Sequence, residues 1–380
     1  MVMLCYLNVM IFNLLNQDGF ARRAQLKFKN GSVQTPAFMP VGTNGTVKAL
    51  EYENLLSTNS EIILGNTFHL MLRPGDELIK EFGGLHKFIG WEKPILTDSG
   101  GFQVWSLGKL AKISEEGVNF KSPYDGKEVF ISPERSIDIQ ANLGSNIVMV
   151  FDDCTGYPAE YSIAKSSMEL SMRWAKRCKV HHKGNSSLFG IVQGGMHNDL
   201  RLQSLESLMN MNFSGIAVGG LSVGEPQEER LDVLMNLKEH YPSDIPRYLM
   251  GVGRPEDIID AVSCGIDMFD CVMPTRNARN GQLFTSLGEI NIRNSKYKND
   301  QDPIDKNCSC KVCQKYSKGY LNHLDKTNEI LASILLSYHN VFFYQNLMQN
   351  IRQSIQEHTF ANFIKEFYNM RGNDIPTHLV

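Results

Sequence analysis

Eight short apolar runs recur along this chain, and most of them end in a glycine or a polar residue. They are PAFMPVG (36–42), EIILGNT (61–67), PILTDS (94–99), NIVMVFDD (146–153), SLFGIVQ (187–193), SGIAVGG (214–220), RYLMGVG (247–253) and DMFDCVMPT (267–275). Near-continuous apolar runs of this length suit strands buried on both faces, as in a parallel sheet. Stretches with helical character lie between them, beginning near Val47 and Pro158 and following His197, Glu225 and Arg254. Pro255 stands where the first turn of a helix accepts proline. Eight strands with helical crossovers fit an α/β fold, the (β/α)8 barrel. An open doubly wound sheet is the competing architecture. No GxGxxG turn follows the first run, which argues against the dinucleotide-binding version.

Composition narrows the class. Hydrophobic residues make up 42% and charged residues 21%, a balance that excludes a mostly disordered, collagen-like or coiled-coil chain. No apolar run approaches the roughly 18–20 residues that span a bilayer. Lys plus Arg is 38 against 41 Asp plus Glu, a net charge of −3. That sum names no partner and does not exclude RNA, which is bound through local basic patches. The opening MVMLCYLNVMIFNLL lacks a basic leader region and a cleavage site. It reads as an extra N-terminal arm or a displaced start, with an N-terminal strand as the plain alternative.

Residues 117–132 depart from the βα rhythm. Two alternating stretches flank Asp125-Gly126, which predicts a hairpin inserted after the third barrel strand. Residues 276–307 are rich in Asn, Lys, Arg and Asp and read as an exposed connector. From Leu321 almost to Phe367, apolar residues return at helical spacing.

Eight cysteines are present, three of them clustered as Cys308, Cys310 and Cys313. With no secretion signal, this points to metal rather than disulfides, in a reducing cytoplasm. Zinc favours four tetrahedral S/N ligands, and a tight knuckle delivers three. His323 and His339 are both candidates for the fourth. A closed set of four protein ligands is structural.

In a barrel, side chains at the C-terminal strand ends converge on one face, where active sites form. Asn66, Asp98, Asp152, Gln193 and Asp270 fall at such ends, with Gly219-Gly220 and Met250-Gly251 on others. Asp98 alone could simply make a turn, and the Asp152-Asp153 pair could cap a helix. Asp270 lies inside an apolar run where a turn is a poor explanation. Paired carboxylates suggest glycosidic chemistry, one as nucleophile at an anomeric carbon and the other moving protons. A further carboxylate, an amide and glycine N–H groups could read a purine. Guanine offers N1–H and N2–H donors to a carboxylate, and O6 and N7 acceptors to a backbone N–H and a Gln amide.

The chain resembles the bacterial tRNA-guanine transglycosylases, from about Phe12 to the C-terminal helices. The resemblance rests on TPAFMPVGT, LGNTFHLMLRPG, LTDSGGFQVWSL, FDDCTGYPA, GIVQGG, AVGGLSVGE, YLMGVGRPEDI, FDCVMPTRNARNG and CSCKVC, with His339-Asn340. It implies exchange of guanine at the wobble position of tRNAs with a GUN anticodon, those for Asp, Asn, His and Tyr. The incoming base would be 7-aminomethyl-7-deazaguanine (preQ1), without ATP or an organic cofactor. It implies a barrel with a zinc-binding subdomain, a homodimer and a cytoplasmic enzyme. The expected divisions are an N-terminal extension over 1–11, the barrel over 12–300, and the zinc-binding subdomain with C-terminal helices over 301–380. Carried over by motif, Asp270 is the nucleophile and Asp98 the general acid/base. Asp152, Gln193 and Gly220 read the base, Leu221 and Met250 line its pocket, and Phe102 stacks on it. Cys308, Cys310, Cys313 and His339 hold zinc, the motif choosing His339. Lys48, Arg276, Arg279 and the Arg293–Lys298 stretch become phosphate contacts.

Three positions depart from the family pattern: Asp153 where Glu is common, Gly156 where Pro is common, and Asn146 where Asp is usual. Cys154 and Val223 match bacterial members. Relatives that take the larger queuine have glycine in place of Val223, so preQ1 is expected. The competing readings are an archaeosine-type transglycosylase, a catalytically silent tRNA-binding subunit, and a zinc-stapled sugar hydrolase. The first carries extra C-terminal domains, and this chain ends soon after its helices. The second would be free to lose Asp270, and the third would need no purine-reading set.

Overall fold

The computed structural model describes residues 10–106 and 111–379. All eight apolar runs become strands of one closed parallel barrel. They are β1 (Ala37–Gly42), β2 (Ile63–Gly65), β3 (Ile95–Thr97), β4 (Ile147–Met149), β5 (Ser187–Val192), β6 (Gly215–Val218), β7 (Arg247–Leu249) and β8 (Met268–Cys271). Each strand pairs with its sequence neighbours, and β8 closes on β1, with Ala37 opposite Met268 and Met39 opposite Asp270. Every residue of β1 to β7 is buried, which explains the absence of alternation in the runs. In β8, Asp270 alone is only half-buried.

The crossovers are helical. Pro133–Leu143 precedes β4, and Tyr161–His181, Asn198–Met209, Gln227–Leu237 and Pro255–Ser263 follow β4, β5, β6 and β7. Ser132 caps the first of these by accepting the Arg135 N–H at 3.1 Å, and Gly144 ends it in the left-handed region at φ 70°. Pro255 opens its helix, as its position predicts. The helix expected near Val47 starts later, at Tyr52. Ala49 sits at φ 66°, a conformation no helix continues through, so Val47 to Leu50 form a turn.

An antiparallel meander, Ile11–Asp18, Ala21–Phe28 and Gly31–Thr35, precedes the barrel. It lies over the N-terminal ends of the barrel strands. The Met10 N–H donates to Ser187 Oγ at 3.1 Å, and the buried Arg22 pairs with Asp267 just before β8. Ile11 to Leu15 of the apolar N-terminal run therefore form a strand, and residues 1–9 lie outside the described residues. The insertion after β3 is a three-stranded sheet, Ala111–Ile113, Val118–Lys121 and Glu128–Ile131. Asp125-Gly126 lies in its last turn, with Gly126 at φ 74°.

The segment 276–307 is not the exposed connector its composition suggests. It contains a hairpin, Gln282–Thr285 paired with Gly288–Asn291, and Leu283, Phe284 and Ile292 are fully buried. Four-residue strands are too short to show a period, and their polar neighbours dominate the composition. The C-terminal helices are Lys318–Lys326, Ile330–Gln356 and Phe360–Met370. The longest packs on the barrel. Tyr344 stacks at a tilt on Phe38 of β1, centroids 4.6 Å apart, and Gln345 donates to the Phe38 carbonyl at 3.0 Å. Val341 and Tyr344 are buried by this packing. Among the described residues no helix is long and apolar enough to cross a membrane.

Candidate active site

The polar residues at the strand ends meet at the C-terminal mouth of the barrel. Asp270 projects from β8. Its Oδ1 accepts the Tyr248 hydroxyl at 2.5 Å and the Gly251 N–H at 2.8 Å. The second contact needs Gly251 at φ 72°. Oδ2 makes no hydrogen bond among the described residues, so one carboxylate oxygen is anchored and the other is unpaired. Burial raises the Asp270 pKa, and the two hydrogen bonds oppose that rise.

Asp98 follows β3 and is buried. Its Oδ1 accepts the Thr67 N–H at 2.8 Å and its Oδ2 accepts the Asn66 side-chain amide at 2.6 Å. Asn66 is itself held, because its Oδ1 caps the helix Thr67–Leu72 by accepting the His69 N–H at 3.0 Å. Burial pushes the Asp98 pKa up to about 7, against the Thr67 N–H, and the charges of Asp270 and Asp152 push the same way. Asp98 and Asp270 thus feel one another across the mouth. An acid near neutrality in the same mouth as an unpaired carboxylate oxygen is compatible with the division of labour of glycosidic chemistry.

Asp152 accepts the Ser99 hydroxyl at 2.9 Å and the Gln193 amide at 2.7 Å. Three glycines let backbone come this close. A Cβ on Gly101 would lie 2.6 Å from the Asp152 carbonyl, and one on Gly220 would lie 2.4 Å from Gln193 Oε1. One on Gly219 would lie 2.9 Å from Gln193 Nε2. Leu221 is buried beside this group, Met250 is half-buried, and Phe102 is exposed on the helix Gly101–Ser106. The cluster therefore offers a carboxylate, an amide and backbone N–H groups to a flat polar ligand.

Of the cationic candidates, Lys48 lies in the loop after β1 and Arg276 on the helix Met273–Arg279 after β8. Both are exposed and make no ion pair among the described residues. Arg279 is half-buried and donates to the Thr275 carbonyl at 2.8 Å. Arg293 is engaged with Asp325 at 2.8 Å, which removes it from the free set.

A second cluster stands apart from the mouth. Cys308, Cys310 and Cys313 Sγ and His339 Nδ1 lie within 4.8 Å of one another, a group able to hold a metal ion. The sulfurs are 3.9, 3.5 and 3.4 Å from Nδ1. His339 Nε2 faces the Phe284 carbonyl at 2.9 Å, which sets the tautomer that leaves Nδ1 free as a ligand. The Cys313 N–H donates to Cys310 Sγ at 3.3 Å, supporting a thiolate there. His323 is exposed on its own helix and takes no part.

The sequence matches the family model for queuine tRNA-ribosyltransferase over residues 17–373. A queuine tRNA-ribosyltransferase of Francisella tularensis subsp. novicida is 59% identical over 362 residues, 95% of this chain and 99% of that protein. One of Acinetobacter baylyi is 57% identical over 371 residues, 97% of this chain and 96% of that protein. This chain belongs to the queuine tRNA-ribosyltransferase family.

The structure also places Asp153, Gly156 and Asn146, the positions the resemblance marks as departures. Asp153 is held through its backbone by Ser167 and Ser171. Gly156 lies in the same loop before the helix Tyr161–His181. Asn146 accepts the Ile95 N–H at 3.0 Å before β4, at the opposite end of the barrel from the mouth. Several site residues escape the strand-end argument. Tyr248 sits within a strand, and its signal is a phenol in a fully buried run. Glu225 is buried and accepts the Ser222 and Val223 N–H groups at 2.6 and 2.9 Å, with Arg230 at 3.0 Å. Arg201 is fully buried below the Gln193 and Gly220 loops. Its signal is a cation in the first turn of a helix, where the dipole disfavours it.

Proposed function

We propose that this chain is a tRNA-guanine transglycosylase of queuosine biosynthesis, exchanging guanine at the wobble position of GUN-anticodon tRNAs for preQ1. The chain is a pentosyltransferase by family. The observation that carries the finer reading is the pairing of two carboxyl groups in one mouth: Asp270 with a free Oδ2, and Asp98 with a pKa near 7. The anticodon base must leave its stack before C1′ can be reached. Asp270 Oδ2 attacks C1′, forming a C–O bond as the C1′–N9 bond breaks, and the bonding pair leaves with guanine. Asp98 supplies the proton that neutralises the departing base. PreQ1 then attacks C1′, gives up a proton to Asp98 and releases Asp270. Two inversions give net retention. Tyr248 and Gly251 hold Asp270 in place throughout.

In the same reading Asp152, Gln193 and Gly220 bind the purine edge, Leu221 and Met250 line the pocket, and Phe102 covers the ring. Lys48, Arg276 and Arg279 meet phosphates. Val223, anchored by Glu225, and the buried Cys154 favour preQ1 over a base with a bulkier 7-substituent. The metal is zinc. A tetrahedral Cys3His zinc has S···N edges of about 3.5 Å, close to the separations found. Zinc would staple the C-terminal segment and take no part in the chemistry. The divisions at 1–11, 12–300 and 301–380, a homodimer and a cytoplasmic location complete the proposal.

The test is incorporation of labelled guanine into an unmodified tRNA-Tyr transcript, with Asp270→Asn alongside. The wild type should incorporate label and the variant none. A folded, metal-loaded wild type that incorporates nothing would sink the proposal. Tight competition by queuine would overturn the choice of preQ1.

A further inference from the structure

Arg201 is the most unusual charge near the mouth. It stands in the first turn of the helix Asn198–Met209, is 0% exposed and makes no ion pair among the described residues. A buried cation without a carboxylate is costly, and the positive end of the helix dipole adds to that cost. Its hydrogen bonds all go to backbone carbonyls, and the charge of Glu225 adds a longer-range attraction. Nε donates to Gly195 at 2.8 Å, one terminal nitrogen to Val192 at 2.9 Å and Gly219 at 2.7 Å, and the other to Gly220 at 3.4 Å. Burial pulls its pKa down to about 10, so it remains a cation at neutral pH.

The Gly219 contact has a directional consequence. In a planar trans peptide the carbonyl and the following N–H point in opposite directions. A guanidinium on the Gly219 oxygen therefore turns the Gly220 N–H away from itself. It also polarises that peptide, making the N–H a stronger donor. The Gly220 N–H makes no hydrogen bond among the described residues. Gln193 Oε1 crowds the Gly220 Cα, so that peptide borders the Asp152–Gln193 pair. The same guanidinium ties the carbonyl ends of β5 and β6 together, which fixes the spacing between Gln193 and Gly220.

We propose that Arg201 is a positioning residue for the purine, holding and polarising the Gly219–Gly220 peptide so that the Gly220 N–H grips the O6 acceptor. This rests on the guanine-exchange reading above. As guanine departs, the electron pair of the C1′–N9 bond spreads over the ring to O6. A polarised donor at O6 stabilises that charge more than it stabilises the bound ground state.

The experiment is a cycle between enzyme and ligand, using metal-loaded protein and calorimetric binding of guanine and 6-thioguanine. The thio base keeps the N1–H and N2–H donors and weakens the acceptor at position 6, and the cycle cancels the cost of its larger sulfur. The wild type should prefer guanine about tenfold, and Arg201→Met should reduce that preference to about threefold or less. An Arg201 that only supports the fold would weaken both ligands alike and leave the preference unchanged, which overturns the proposal. Because Arg201→Met strands several carbonyls, Arg201→Lys is run in parallel. It keeps the charge with fewer contacts and should fall between the two. If only the Lys variant folds, an undiminished preference in it overturns the proposal. A wild type that binds neither base ends both readings. A wild type that exchanges guanine while the variants keep full preference ends this one alone.

Discussion

Replacing Asp98 with asparagine should make the protein's stability less dependent on pH while disabling it. The carboxyl is buried between the Asn66 amide and the Thr67 N–H, with its pKa raised from 3.8 to about 7. Above about pH 4 the unfolded chain has released this proton, but the folded chain keeps it until about pH 7. The folded state binds more protons across that window, so stability falls as pH rises through it. The step from 3.8 to about 7 corresponds to a ceiling of about 4 kcal/mol lost above neutrality. Asparagine does not titrate; its carbonyl can still accept the Thr67 N–H, but its amide meets the Asn66 amide donor to donor, a loss that does not depend on pH. Asp98→Asn should therefore gain on the wild type by up to about 4 kcal/mol between about pH 4 and pH 8. Calorimetry on metal-loaded proteins at both pH values reads the difference. In parallel, the wild-type exchange rate should show an inflection near pH 7 that the variant lacks, with kcat lower by about 10²–10⁴. A stability difference that does not shift towards the variant as pH rises would show that Asp98 is not a destabilised acid, and the general-acid assignment would lose its physical basis.

Three further outcomes follow from particular contacts. Tyr248→Phe removes the hydroxyl that steadies Asp270, so the Asp270 pKa should rise and the acidic limb of the rate profile should move to higher pH. Its kcat should fall about tenfold, measured by guanine exchange. Gly220→Ala puts a Cβ 2.4 Å from Gln193 Oε1 at φ 63°. The KM for free guanine should then rise by about tenfold or more while tRNA binding in a filter assay is little changed. His339→Ala breaks the Cys3His set, so the purified protein should carry less than one zinc by elemental analysis. It should melt well below the wild type, because metal binding at such sites is folding free energy.

Much of the architecture was legible in the sequence because its signal is local. Buried parallel strands are apolar on both faces, so each of the eight runs declared itself without reference to the others. The same rule marked Asp98, Asp152, Gln193 and Asp270 as polar interruptions at strand ends. The hairpin at 282–291 hid because its strands are short and flanked by polar residues. Arg201 and Tyr248 left only weak local signals, because what gives them a role is their partners, backbone carbonyls and a distant carboxylate, which nearby residues do not record.

What only the tertiary structure decided is convergence. Spacing left His323 and His339 equal as metal ligands. The packing of the helix Ile330–Gln356 against the buried hairpin delivers His339 Nδ1 to the three sulfurs and leaves His323 in solvent. Asp98 and Asp270 are remote in the chain, and each alone is an ordinary aspartate. Closure of β8 on β1 brings them around one mouth, and burial there raises both pKa values. Residue type and period are properties of a few neighbouring positions. Desolvation and the pairing of charges depend on what surrounds a group in three dimensions, and they arise only once the barrel has closed.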